Sequence, residues 1–394
     1  MTDTQELLQE RIQLFKDAAR HKKTDRVLNL ANFWTWKILD AGYTISDATR
    51  DYDKMEDVQR QFQEKYHFDL DFDALFGVRD PLRIADALGA GDYTIEDEEA
   101  GIIHFESDIC YMEADEYDEV ATEFTKFLWT KLMPRKFEQL KGTHGKEMVA
   151  HAVGEVARFL QFGQELAQAL AQDYGVPPLA ENFFLPFFEE LANIRGIKEL
   201  SLDLHRRPQK VHEACEAHGV MGFFGGTFES FKEASTKGTN MHVAADIGSA
   251  LLAHSLCNPK QFGDYLWPYL EELFDFAAEY DKIVYIFAEH NSERFYDFYK
   301  QVPKGVLILH PEMDDIFKAK EKIGDNVCLA GGMPASLLYH GTKQENIDYA
   351  KRLIDELAAD GGYIFSQNKM ISYPNDCKAE NLKAVNDFVR EYRI

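Results

Sequence analysis

The 394-residue sequence predicts a closed (β/α)8 barrel, a TIM barrel carrying an N-terminal helical elaboration and formed as a single domain over 1–394. Three observations predict it. In the C-terminal third, short apolar runs alternate with helix-length amphipathic stretches, which is βα repetition. Those runs are apolar on both alternations, as parallel strands covered by helices on one side and a packed interior on the other require. No low-complexity tract, Pro-rich linker or short repeat marks a domain boundary. An open doubly wound sheet is the alternative, but no GxGxxG follows any strand, so a dinucleotide site has no support.

The elements follow in order. Residues 1–24 read as a charged amphipathic helix, and 25–32 (DRVLNLAN) as a short strand. A helix is expected over 46–66, starting at Ser46, whose hydroxyl suits a helix N-terminus. Residues 86–112, rich in Gly, Asp and β-branched side chains, read as loops with a hairpin. Helices are expected at 115–140 and at 147–173, the second Ala- and Gln-rich with apolar spacing at Val149, Val153, Val156, Phe159 and Leu160. The aromatic stretch 182–191 (NFFLPFFEEL) reads as a packed loop and helix, or as the wall of an apolar pocket. Further strands are expected near 219–225 and 239–245. The repeats IVYIFAE, GVLILH, VCLAGGMP and GGYIFSQ then supply the remaining strands, each separated from the next by a helix.

Charge limits the partners. Lys and Arg number 43 against 68 Asp and Glu, a net charge of −25, which repels phosphate backbones and anionic lipid heads. Nucleic acid and membrane are therefore not expected partners. No apolar run is long enough to span a bilayer, so a soluble cytoplasmic protein is expected. Five cysteines, at 110, 215, 257, 328 and 377, are far apart and never in a CxxC pair, which fits reduced thiols.

In a barrel, working residues lie where strands end, because the βα loops form the active face. The strand over 283–287 runs into Glu289, His290 and Asn291, and the next ends at His310. Glu289 and His310 lie one βα unit apart and can share a mouth, as zinc ligands with open positions or as an acid/base couple. The bland reading makes Glu289 a helix cap and gives His310 a backbone carbonyl. His242 and Asp246 are further candidates at the strand expected near 239–245. Trp34 and Trp36 follow the first strand and are candidate pocket residues, as are Asn291 and Asn368. The basic positions Arg195 and HRRP (205–208) are candidate anion or partner contacts, with helix-end charge as the default.

Several blocks carry a resemblance to a known family: DRVLNLANF (25–33), YMEADEYDE (111–119), RGIKELSLDLHRRPQKV (195–211), PKQFGDYLWPYLEELF (259–274), GDNVCLAGGMPASLLYHGTKQENIDYAKRLI (324–354), GGYIFSQN (361–368) and AENLKAV (379–385). The sequence resembles the uroporphyrinogen decarboxylase superfamily, within it a branch of corrinoid-dependent methyltransferases. The resemblance implies a (β/α)8 barrel. True decarboxylases carry an Arg-rich RQAGRY-like segment after the first strand, where this chain has Asn32-Phe33-Trp34-Thr35-Trp36-Lys37. The corrinoid:coenzyme M methyltransferases carry zinc-binding thiolates, where this chain reads Phe287-Ala288-Glu289 and Ser366-Gln367-Asn368. Glu289 with His310 is similar instead to the oxygen- and nitrogen-donor zinc set of enzymes that cleave aryl methyl ethers. A Glu expected fifteen residues earlier is Phe274 here, which leaves His242 or Asp246 for the third ligand.

The resemblance implies a methyltransferase that moves a methyl group from a methoxylated aromatic compound to the Co(I) of a separate corrinoid protein, with zinc as Lewis acid on the ether oxygen. Two alternatives stand beside it. One is a decarboxylase of a porphyrinogen or smaller acid, using His310 and Lys369 on the carboxylate and Glu289 on a proton. The other is a non-catalytic corrinoid- or tetrapyrrole-binding relative.

Overall fold

Eight parallel strands form a ring. In chain order they are β1 (Asn29–Ala31), β2 (Leu70–Asp71), β5 (Ala180–Pro186), β7 (Ala245–Leu251), β8 (Val284–Ala288), β9 (Leu307–Pro311), β10 (Cys328–Met333) and β11 (Tyr363–Gln367). Neighbours run β2-β1-β11-β10-β9-β8-β7-β5, and a parallel bridge from Asp71 to Pro178, just before β5, closes the ring. The computed structural model describes residues 3–72, 82–90, 93–105, 108–137, 140, 145–222, 228–235 and 243–394. An antiparallel hairpin, β3 (Tyr93–Asp97) with β4 (Ile102–Phe105), stands apart from the ring, as expected within 86–112.

Alternation along each strand sorts the side chains. Leu30, Tyr285, Phe287, Ile308, Cys328, Ala330 and Ile364 fill the interior, while Val284, Ile286, Leu307, Leu309, Leu329 and Phe365 face the helices. Both faces are dry, which explains the uninterrupted apolar runs. An aromatic layer crosses the interior: Phe72 packs against Phe183, Tyr285 and Phe287, and Phe287 meets the His310 ring edge-on at 5.1 Å.

The N-terminal helix Asp3–Ala19 closes the opposite end. Its Leu14, Phe15, Ala18 and Ala19 join the interior cluster beside Leu28, Leu179 and Ile283, all of which precede strands. Asp69 fastens this plug. It accepts from Arg11 Nε (3.0 Å), Arg26 Nη1 (2.7 Å) and the Asn29 amide (3.0 Å). Burial raises the Asp69 carboxyl, but Arg11 and Arg26 outweigh it and hold the group below its ordinary range.

Four expectations need correction, and two staves were missed. The 219–225 segment holds β6 (Val220–Gly222), which pairs antiparallel with β5 outside the ring and is no stave. The stave expected at 239–245 begins at Ala245 and runs to Leu251. The staves β2 and β5 were not foreseen, because β2 has two ladder residues and β5 runs without a break into the helix Phe187–Arg195. The single helix expected over 46–66 is two, Ile45–Arg50 and Tyr52–Tyr66. Asp51 is extended between them and its carboxylate accepts the Asp53 and Lys54 amides. The segment 115–140 is likewise broken, with a π-helical turn at Leu128–Leu132.

Gly331 in β10 has φ +101°, and a Cβ there would lie 2.6 Å from the His310 ring. Gly42 shares a positive φ (+84°) but has open space around it. Gly331→Ala is therefore expected to cost more than about 2 kcal/mol, since strain and overlap add, whereas Gly42→Ala should cost about 1 kcal/mol. Urea midpoints of the two variants check this; equal losses would mean that the approach of His310 is soft.

Candidate active site at the barrel mouth

The C-terminal ends of the strands converge on one mouth. Strand β8 continues one residue past its assigned end, because the Glu289 amide donates to the Leu251 carbonyl (2.9 Å), and β9 likewise, because the Glu312 amide donates to Ala288 (3.0 Å). Glu289 follows Phe287 by two residues and Glu312 follows His310 by two, so both carboxylates stand one layer above the aromatic floor on the interior side. The Glu312 carboxylate accepts the amide of His290 (2.8 Å), whose φ of +59° turns the chain outward there. Glu289 is half-buried, and its negative charge bears on Glu189.

Glu189 was not foreseen. It lies in the helix Phe187–Arg195 and accepts the amides of Leu252, Ala253 and His254 as β7 turns over. Burial raises its carboxyl to about 7 against the pull of those three donors, and Glu289 pushes it further. Near neutrality Glu189 therefore keeps a proton for much of the time. Beside it, buried His254 contacts the Ser292 hydroxyl (3.1 Å), and Asp314 accepts from the Ser292 amide and the Tyr296 hydroxyl.

His310 is wholly buried and points inward. The Gln367 carbonyl can only accept, so Nε2 carries the proton and donates to it (2.7 Å), while Nδ1 accepts from the Tyr285 hydroxyl (2.6 Å). Burial lowers its pKa to about 4, although the Gln367 bond opposes this, so the ring is neutral.

On the far side of the mouth, β1 and β11 present neutral polar groups. Ser366 pairs in register with Leu30, so Ser366 and Asn32 share the interior face. Both are fully buried, and the Asn32 amide oxygen and nitrogen, the Ser366 hydroxyl and the Trp34 indole N–H have no hydrogen-bond partner among the described residues. A buried polar atom left unmet costs about 1–3 kcal/mol, so this group is shaped to meet water or a polar ligand atom. Of these, sequence reasoning found Trp34 and missed Asn32 and Ser366, whose signal was their position at strand ends.

The other sequence candidates divide. Trp36 is no pocket residue: it is buried against Phe33 and Tyr66 and donates to the Cys377 carbonyl (3.1 Å). Asn291 is exposed at the rim. Asn368 links two loops, accepting the Ala335 amide (3.0 Å) and donating to the Glu312 carbonyl (3.4 Å). Asp246 lies at the other end of the barrel, accepting the Ile283 amide and pairing with Lys282 at 3.5 Å. His242 is outside the described residues. Arg195 serves the interior of the helical layer, bonded to Asp203 (2.7 Å) and the Met112 carbonyl. As arranged, Glu289, His310 and Asp246 do not fit a zinc ion, because both His310 nitrogens are committed and Asp246 is remote. Among the described residues no cluster of three His, Cys, Asp or Glu is placed for a metal.

The family model for uroporphyrinogen decarboxylase (URO-D) matches residues 191–392, which take in strands β6 to β11 and the carboxylate side of the mouth. The chain belongs to the uroporphyrinogen decarboxylase family. Among solved structures, a methyltransferase from Methanosarcina mazei aligns at TM-score 0.60 with 13% identity, covering 97% of this chain and 98% of that one. The barrel is thus common to both along nearly their whole lengths. The apo form of 3-keto-D-glucoside 4-epimerase, YcjR, from E. coli aligns at TM-score 0.30 with 14% identity, over 58% of this chain and 84% of that one, a likeness too weak to carry over even the fold. No curated protein matches the sequence. No described helix of this uroporphyrinogen decarboxylase family member is long and apolar enough to cross a membrane.

The buried histidines make stability acid-sensitive. His310 titrates near 4 and His254, lowered by burial and then by Arg294 and His290, near 3, against an ordinary 6.5. Between those values the unfolded chain binds more protons than the folded one, so stability is complete above pH 6.5 and falls as pH drops toward 4. Each group is expected to contribute up to about 3 kcal/mol to that fall, at 1.36 kcal/mol per unit. Urea unfolding at pH 7, 6, 5 and 4.5 measures it; His254→Asn should flatten the slope, and an unchanged slope would place the titration elsewhere.

Proposed function

We propose that the chain is a methyltransferase that accepts a small, neutral methoxylated aromatic compound at the barrel mouth and passes its methyl group to a separate corrinoid protein. The observation that carries this reading is the charge of the mouth. The aromatic floor of Phe72, Phe183 and Phe287 suits a flat ring, Asn32, Ser366 and Trp34 offer unmet neutral donors and acceptors, and Glu289 and Glu312 supply the ionisable groups. Lys37, the cation of the 32–37 segment, is withdrawn: it is buried against Asp71 (3.2 Å) and Gln59 (3.1 Å). Lys369 is likewise engaged, with Asp376 at 2.9 Å. The Methanosarcina mazei methyltransferase of like fold adds support from the architecture.

Breaking an aryl methyl ether leaves an oxygen that must take a proton or a positive partner. A reduced corrinoid protein, when docked, supplies the nucleophile that receives the methyl group. The chain's own part is to hold the ring on the aromatic floor, orient its oxygens by Asn32 and Ser366, and deliver a proton from Glu289 to the departing oxygen. Glu189 and Glu289 act as a coupled carboxylate pair that retains one proton near neutrality, and Glu289 is the member from which that proton is passed to the departing oxygen.

Glu289→Gln keeps shape and removes the transferable proton, so methyl transfer from methoxybenzenes to Co(I) corrinoid protein, followed by cobalt absorbance, is expected to fall about 10²–10⁴-fold with folding unchanged. Full activity in that variant would sink the assignment. Decarboxylation is the second reading. A polycarboxylate needs guanidinium clamps, and none of the cations noted above is available, so CO2 release from uroporphyrinogen is expected at background. Release well above background would favour the decarboxylase reading instead.

A further inference from the structure

A second cleft lies at the opposite end of the barrel from the mouth, beside the plug helix. Its volume is about 350 Å3, and it is walled by the plug helix, the end of the helix Tyr52–Tyr66, the segment 174–176 and the end of the C-terminal helix Ala379–Glu391. In a chain of net charge −25 it holds four guanidiniums, Arg11, Arg26, Arg390 and Arg393, against two carboxylates, Glu10 and Asp69. Those two carboxylates are spent on Arg11 and Arg26. Arg390 reaches Asp387 only at 3.5 Å, and Arg393 donates to the carbonyls of Arg390 and Tyr392. Gln63 also lines the cleft; it is 2% exposed, and its amide nitrogen has no partner among the described residues. His67 stands next to it with a lowered pKa, set first by burial and then by Arg390, Lys383 and Arg11, with Asp387 opposing.

We propose that this cleft binds a small oxyanion of charge near −2, a phosphate-bearing or dicarboxylate metabolite, gripped by Arg390, Arg393 and the Gln63 amide. Arg26 and Arg11 lie behind them as fixed positive charge, because their own partners hold them in place. Guanidiniums match the geometry of carboxylate and phosphate, and a buried amide donor without a partner is costly unless a ligand meets it. The volume suits a small molecule and excludes a folded partner. The bound anion would join the plug helix, the Tyr52–Tyr66 helix and the C-terminal helix at the base of the barrel. It would stabilise the fold by mass action without touching the mouth.

The experiment titrates the full chain with inorganic phosphate and, separately, with succinate, sodium chloride at matched ionic strength being the control. Thermal midpoint and the NMR titration of His67 are read together. A saturable rise in midpoint, with the His67 pKa moving upward, supports the proposal, and the stronger arm tells a phosphate ligand from a dicarboxylate. The double variant Arg390→Gln/Arg393→Gln should weaken that binding at least tenfold, and Gln63→Leu should weaken it while leaving Arg11 and Arg26 paired. A response no greater than that of chloride, or one unchanged in the double variant, overturns it. Methyl transfer is not involved, so failure here is separate from failure of the proposed activity.

Discussion

The interior of this barrel depends on one buried imidazole that spans three strands. His310 leaves β9, takes a hydrogen bond from Tyr285 on β8 and reaches over β10 to a carbonyl of β11. The reach is possible because β10 passes beneath with Gly331, where a side chain would collide with the ring. Tyr363 adds its own bond from β11 to the Gly331 carbonyl (2.7 Å), so the same glycine is held from both sides. Four adjacent staves are thereby locked in register by side chains as well as by their ladders. A neutral ring with both nitrogens satisfied incurs no charge penalty in that setting, which is why burial leaves it unprotonated rather than paired with a carboxylate.

Charge is handled differently at the two ends. At the base, one carboxylate is buried with two guanidiniums, Asp69 with Arg11 and Arg26. Breaking one partner of such a pair would leave an uncompensated buried charge, so these groups fix geometry and are closed to other chemistry. At the mouth the pattern reverses. Glu289 and Glu312 stand above an aromatic layer, burial and then the charge of Glu289 let Glu189 hold a proton, and the amide and hydroxyl groups of Asn32 and Ser366 are left unmet among the described residues. Paired charges dominate the base, with the Gln63 amide nitrogen as an unmet exception, while unmet neutral groups gather at the mouth.

Membership of the uroporphyrinogen decarboxylase family and the mouth's chemistry bear on different questions. The family match and the likeness to the Methanosarcina mazei methyltransferase speak to the barrel and its loops. A barrel hosts many reactions, so substrate class has to come from the side chains at its strand ends. Here two tryptophans and one neutral amide, Asn32, occupy the segment where decarboxylases are expected to carry arginines, and the lysine of that segment is buried against Asp71.

Composition and apolar patterning determined the fold class by themselves, because a strand buried on both faces leaves a mark that no exposed strand shares. The C-terminal staves, β8 to β11, and the strand-end position of Glu289 and His310 were legible for the same reason. Tertiary structure alone decided how those residues are partnered. Whether a strand-end histidine is a ligand or a brace turns on whether its lone pair is free, and that depends on Tyr285 and Gln367, twenty-five and fifty-seven residues away. The two-residue stave β2, the aromatic stave β5 and the antiparallel β6 carry too little local period to be told apart without their neighbours. Asp246 falls at the base because a stave expected to end there begins there instead, and such a shift in strand position exchanges one end of a barrel for the other. Asn32, Ser366 and Glu189 look ordinary in sequence; their meaning is the burial and the missing or abundant partners that only the closed ring creates.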